Sequence, residues 1–420
     1  MKYLIIFFLT ISSVAFAQEA KYKGQAPISN VPITTSRPTI PQWKGIVEVK
    51  KGVYFSNDFQ GGRLNGIIEG ENDTLIAVIS AENVPINSSA WYAFKVWSDA
   101  PEEVVVKLTY QNGKHRYYPK LSKDGINWSL LDSTKVHEIG KGGEKFGGSS
   151  QSEAAVLHLD ASSDTLWVAA QELQTSKHVF GWIDEMSKAS FISAEEIGKS
   201  RQGRPIKCMH IGSGKDKKMI LVISRQHPPE VTGYLSMKSF VENLTVDTKL
   251  AKKFRKKYDI YVVPLMNPDG VDNGHWRHNI GGIDLNRDWS DFNQPETSAV
   301  KDFMHKKTKN GKGKFYFAID FHSTWDDIYY TLPDTASSNL TGFTTKWLTG
   351  VETEIPGYQP NVKPTKRLEP TWVSRNFFFV EFGAEALVFE IGDNTPRDFI
   401  KEKAKVSAEQ MMKIMLEEYK

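Results

Sequence analysis

The sequence is poor in sulfur ligands. Its 420 residues hold one cysteine, Cys208, which excludes an intrachain disulfide and any thiolate metal cluster, so a transition-metal site would have to use His and carboxylate. It also lacks a charge surplus. Lys+Arg 53 against Asp+Glu 50 leaves +3, too even a balance to predict nucleic acid or an anionic membrane as partner. Functional charge must be local. The 31 Gly and 19 Pro follow no period, and with 40% hydrophobic and 25% charged residues the collagen-like, coiled-coil and wholly disordered classes drop out. A packed protein of two or three domains remains, at about 150 residues per domain.

Beyond the first residues there is no apolar run long enough to cross a bilayer. The chain opens MKYLIIFFLTISSVAFAQ, with Lys2 as a basic start, an apolar stretch from Tyr3 running on to Phe16, and Ala15-Phe16-Ala17 before Gln18. That is the layout of a secretory signal peptide over residues 1–17. Thr10, Ser12 and Ser13 interrupt the stretch, whereas a spanning helix needs about 20 apolar residues. No Cys follows the cleavage site to accept a lipid. The expectation is an exported protein with no stable membrane insertion after cleavage, periplasmic or secreted if the source is bacterial.

What is present falls into two textures. Residues 23–188 show short alternating runs, such as Leu75-Ile76-Ala77-Val78-Ile79, Val104-Val105-Val106-Lys107-Leu108 and Ala154-Ala155-Val156-Leu157-His158-Leu159, split by turn residues including Asn112-Gly113 and Asp124-Gly125. They predict an antiparallel β-sandwich. His115, His137, His158 and His178 are scattered singly and read as structural. Trp91, Trp97, Trp128 and Trp167 offer a carbohydrate platform or, more simply, core.

From 193 to 420 apolar strand-like runs (219–223, 260–265, 315–319, 386–389) alternate with amphipathic stretches, among them Met237, Phe240, Val241 and Leu244. This predicts an α/β domain with a mixed central sheet. In such sheets ligands gather beyond the carboxyl ends of the strands.

The residues after those runs carry the chemistry. His227-Pro228-Pro229-Glu230 puts an imidazole and a carboxylate three positions apart where a strand turns into a helix, and Asp320-Phe321-His322-Ser323 supplies a second imidazole. His, Glu, His and water make the open four-coordinate site of catalytic zinc. The H-E-x-x-H helix is absent. Arg277, Asn286 and Arg287 lie close in sequence beyond the second run, able to hold a carboxylate or neutralise an oxyanion. Glu390 emerges from the last run, either salt-bridged or a base poised in a cleft.

Together with Asn267-Pro268-Asp269-Gly270, Asp284-Leu285-Asn286-Arg287 and Phe389-Glu390, these residues occur in an order that resembles the zinc carboxypeptidase family over roughly residues 197–393. The leading domain resembles the sandwich that precedes the catalytic unit in the cytosolic carboxypeptidase branch, through Phe55-Ser56-Asn57-Asp58-Phe59 and Ser122-Lys123-Asp124-Gly125-Ile126-Asn127-Trp128. The resemblance implies one Zn²⁺ per chain held by His227, Glu230 and His322, with Asp284 orienting an imidazole from behind. It implies Asn286 and Arg287 as the grip on a terminal carboxylate, Arg277 polarising the scissile carbonyl and Glu390 as general base. Arg375 falls where the family builds its side-chain pocket and would favour acidic terminal residues. The family's lid tyrosine has no counterpart in residues 361–379. His275 and His278 read as packing or supporting residues.

Three functions stay open. The first is a carboxypeptidase acting near the free C-terminus of peptides. The second is a zinc amidase or endopeptidase cutting peptidoglycan stem peptides. The third is a non-catalytic glycan- or peptide-binding protein. The sequence is silent on oligomeric state.

Overall fold

The computed structural model describes residues 34–419 apart from 88, 141–144, 147–148, 151, 215–217, 312, 334 and 370. The expected signal peptide, 1–17, lies outside the described residues.

In Thr74–Ser80, Glu102–Gln111 and Ala154–Ala161 burial alternates along the strand, so one face packs and the other looks outward. These strands belong to a five-stranded sheet ordered Gly66–Glu69, Thr74–Ser80, Glu102–Gln111, Ala154–Ala161, Val136–Ile139. A six-stranded sheet runs Ile46–Lys50, Val53–Ser56, Ala93–Ser98, Leu166–Ala169, Lys120–Ser122, Ser129–Leu130. Neighbours are antiparallel as the sequence predicts, with one exception. Thr74–Ser80 and Glu102–Gln111 run parallel, because the chain between them crosses to the other sheet as Ala93–Ser98 before returning. Leu75, Val106 and Leu157 of one sheet and Phe55, Phe94 and Val168 of the other share one buried cluster, which also takes in Val231 and Trp276.

The C-terminal sheet has eight strands, in the order Ile192–Lys199, Pro205–Ile211, Asp259–Val263, Lys218–Ser224, Lys314–Thr324, Glu385–Gly392, Ile328–Thr331, Val362–Pro364. Its four central strands are parallel and antiparallel neighbours flank them, giving the expected mixed sheet. Alternate residues of Lys218–Ser224 enter different cores. Ile220 and Val222 join Phe240, Phe254, Trp347 and Met411, while Met219, Leu221 and Ile223 join Val300, Phe303 and Phe378. Helices therefore cover both faces, and strands such as Asp259–Val263 are buried at every position. The helix Ser176–Met186 adds Val179, Trp182 and Ile183 to the first of these cores. Among the described residues no helix is long and apolar enough to cross a membrane.

Candidate metal centre

The carboxyl ends of the parallel strands converge on three residues. After Ser224 the chain passes through Arg225 in a left-handed conformation, φ 56°, then presents His227 and Glu230 just before the helix Val231–Thr245. That helix starts against the neighbouring strand: Gly233 N donates to Ser323 Oγ at 2.8 Å. A Cβ on Gly233 would sit 2.4 Å from the His322 carbonyl oxygen, so only glycine permits the approach. His322 lies in Lys314–Thr324, directly opposite Glu390 in the register of the parallel pair.

His227 Nδ1 and His322 Nδ1 each lie 2.8 Å from a different oxygen of Glu230 and 3.2 Å from each other. All three residues are buried, and one ligand atom from each falls within 4.8 Å of the others. The outer nitrogens are taken. His227 Nε2 meets Asp284 Oδ1 at 2.8 Å and His322 Nε2 meets Asp320 Oδ2 at 2.9 Å. An imidazole pinned by a carboxylate on one nitrogen, with the other turned inward, is the arrangement that orients metal-binding histidines. Two imidazole nitrogens and a carboxylate oxygen also suit zinc. The residues thus fit the ion that the sequence predicts.

The electrostatics agree. Burial pushes Glu230 up, but His227 and His322 outweigh it and hold the carboxyl well below its usual range. Burial likewise opposes ionisation of Asp284, and Arg277, His227 and Arg287 overcome it. His322 is raised well above the usual imidazole range because Asp320 and Glu230 outweigh burial. Such a concentration of carboxylate around two imidazoles favours a cation, proton or metal, between them.

The other predicted residues arrive by different routes. Asp284 bridges His227 to Arg277, whose Nε donates to Oδ2 at 2.8 Å. Asn286 and Arg287 sit in the short turn Leu285–Arg287, capped by the Asp284 side chain accepting from Asn286 N. Asn286 Oδ1 accepts from Ser374 N at 3.0 Å, which ties that turn to the helix Ser374–Phe382 and so brings the buried Arg375 alongside. Glu390 is half-buried, and its Oε2 is a buried atom without a hydrogen-bond partner. Burial first, and then the Glu230 charge, raise its carboxyl to about 7.

Some predicted residues serve elsewhere. Asn267 caps the helix Pro268–Asp272 through Gly270 N, and Asp269 receives Ser200 Oγ, Gln202 N and Arg204. His275 bonds the His278 carbonyl and His278 bonds Asn83. Tyr358, the tyrosine just before the stretch 361–379 that lacks one, is engaged with Tyr329 and Asp327. Trp91 is buried with its indole on Gly61 O, Trp97 stacks on Tyr54, Trp128 bonds Gly125 O, and Lys95 lies over Trp167.

The sequence pattern assigns no role to Asp320, although its spacing of two from His322 puts both on one face of a strand. It missed Gln226 and Ser374, which both donate to Asp320, and Trp289, which donates to Gln226. These contacts span up to 94 positions in sequence, and no local pattern announces them.

Comparison with known proteins adds the family. Residues 180–353 match the zinc carboxypeptidase family, a span that contains His227, Glu230, Arg277, Asp284 and His322 and stops short of Arg375 and Glu390. The chain is 31% identical over 152 residues to cytosolic carboxypeptidase 6 of Caenorhabditis elegans, covering 34% of this chain and 33% of that protein. An uncharacterised protein of Zymomonas mobilis is 24% identical over 271 residues, 63% of this chain and 66% of that one. The chain thus spans about a third of the cytosolic carboxypeptidase 6 proteins it matches and a tenth or less of cytosolic carboxypeptidases 1, 2 and 4. Among solved structures, a metallo-carboxypeptidase from Burkholderia cenocepacia superposes with a TM-score of 0.70 at 18% identity, over 87% of this chain and 98% of its own. One from Pseudomonas aeruginosa, in complex with (2-guanidinoethylmercapto)succinic acid, gives 0.66 at 18% identity over 86% and 98%. These two show a shared fold that reaches beyond the C-terminal sheet into the N-terminal strands. Around its His-Glu-His group this chain carries a zinc carboxypeptidase domain, related in sequence to the cytosolic carboxypeptidases.

Proposed function

We propose that the protein is a zinc metallocarboxypeptidase that hydrolyses peptide bonds next to a free C-terminus. The observation that carries this reading is the pairing of two carboxylate-pinned imidazoles on Glu230 with a partnerless Glu390 oxygen on the adjacent strand. Zinc bound at such a site lowers the pKa of a water and polarises a carbonyl. The chain's own residues do the rest. Glu390, whose Oε2 is buried without a hydrogen-bond partner, takes the proton of the attacking water and returns it to the leaving amine. Arg277, aimed by Asp284, stabilises the oxyanion that develops on the scissile carbonyl. Asn286 and Arg287 hold the terminal carboxylate, and an uncharged terminus would leave the guanidinium unpaired at a cost of about 1 to 3 kcal/mol. Arg375 favours an acidic terminal side chain; its burial and its tie to Asn286 through Ser374 support that choice.

The same reading treats the chain as two units, with the N-terminal sheets facing each other as a sandwich over residues 23–188 and the catalytic unit over 193–420. Their shared buried cluster supports the sandwich. The opening residues support export.

A mass-spectrometric digest of a mixed library of linear and wall-derived peptides tests the reading. Chelator-sensitive loss of single C-terminal residues, fastest for terminal Glu, is expected. Internal cleavage or chelator-insensitive activity would overturn it.

A further inference from the structure

The loop 274–282, which carries Arg277, is clamped by the N-terminal strands. Glu82, fully buried just past the strand Thr74–Ser80, accepts three consecutive backbone N–H groups: Trp276 N at 2.7 Å, Arg277 N at 3.0 Å and His278 N at 2.7 Å. Around it Arg63 Nε donates to Gly274 O at 2.7 Å and Asn83 Nδ2 to Gly282 O at 3.1 Å. The Trp276 indole enters the N-terminal cluster and donates to Trp91 O. Gly274, at φ +66°, lets the loop pass where a Cβ would meet Gly62 O at 2.7 Å.

Successive N–H groups turned to one centre form an anion-binding concavity, and hydrogen bonds to an ionised acceptor are roughly twice as strong as neutral ones. Burial alone would neutralise Glu82, but His275, His278, Arg63 and the Trp276 N–H outweigh it and hold the carboxyl at about 2. The loop is therefore held by a charge contributed from the other part of the molecule. We propose that Glu82 is a positioning residue of the active site, fixing through the Trp276, Arg277 and His278 amides the backbone from which the Arg277 guanidinium reaches Asp284 and the substrate carbonyl. The N-terminal sheets complete the catalytic site by this contact. The inference rests on the role proposed for Arg277.

The test uses the zinc-loaded full chain and a blocked peptide with a free terminal carboxylate. Glu82→Gln removes the charge and turns an amide NH₂ toward N–H donors. It is expected to lower kcat about tenfold or more with KM within about twofold, and to speed amide exchange at 276–278 about tenfold or more. Glu82→Asp, which keeps the charge, should recover part of the loss. In an Arg277→Ala background Glu82→Gln should cost nothing further. Should Glu82→Gln fail to fold, Asn83→Ala, which releases His278 and Gly282 from the same unit, carries the same expectation. A folded Glu82→Gln protein with unchanged kcat, or losses that add fully to those of Arg277→Ala, overturns the role of Glu82. Wild-type kcat in Arg277→Ala would instead overturn the reading of Arg277.

Discussion

A histidine in the N-terminal sheets and a histidine in the C-terminal sheet mean different things. His137 and His158 occupy outward positions of strands whose burial alternates, where their rings meet edge to face and His158 reaches Glu103 at the surface. His322 sits in a strand buried at its last eight positions in a row. Helices cover both faces of that sheet, and a polar side chain there costs free energy unless it is paired. Asp320, His322 and Glu390 gather at the strand ends, where Asp320 Oδ2 pairs with His322 Nε2 while Asp320 Oδ1 and Glu390 Oε2 have no hydrogen-bond partner. Polarity inside a doubly covered sheet is therefore the functional signal.

The comparison can be broken or sharpened by substitution. The largest effect is expected at Glu390→Gln, which should lower kcat by about a thousandfold while zinc content stays at wild type; near-normal turnover would remove Glu390 from the reaction. Next comes Arg116→Met. Arg116 Nε donates to Asp393 at 2.7 Å with both side chains buried, and the guanidinium stacks on Trp325, so the N-terminal part is tied to the strand end beyond Glu390. Stranding Asp393 should cost about 3 to 5 kcal/mol in denaturant unfolding, and a loss under about 1 kcal/mol would show that the two regions do not depend on this pair.

Glu296 gives the pH dependence. Burial raises its carboxyl to about 7, above the 4.5 of an exposed group, so the folded state holds its proton more tightly than the unfolded. Stability from this group is complete below pH 4.5 and lost as pH rises to 7, a change of about 3 kcal/mol. Glu296→Gln should flatten that slope and raise stability at pH 8; an unchanged slope would show that Glu296 does not cause it. A smaller effect is expected at Arg375→Leu, where the ratio of rates on peptides ending in Glu and Leu should shift about tenfold toward Leu. An unchanged ratio would remove Arg375 from specificity.

Much of this was legible in sequence because the signals are local. Alternation pointed to the N-terminal strands, unbroken apolar runs to the central strands of the C-terminal sheet, and His227-Pro228-Pro229-Glu230 to two members of the His-Glu-His group. The parallel pairing of Thr74–Ser80 with Glu102–Gln111 was not legible, since it depends on which sheet the intervening strand joins. Nor was Glu82, an isolated carboxylate among turn residues. Its partners lie 194 or more positions away and are backbone amides, which leave no trace in side-chain pattern.

The central claim is tested most directly by zinc content. Purified wild-type protein and His158→Ala should each hold one zinc per chain and differ in stability by less than about 0.5 kcal/mol, while His322→Ala should hold none. Equal zinc in His322→Ala and wild type would contradict the account.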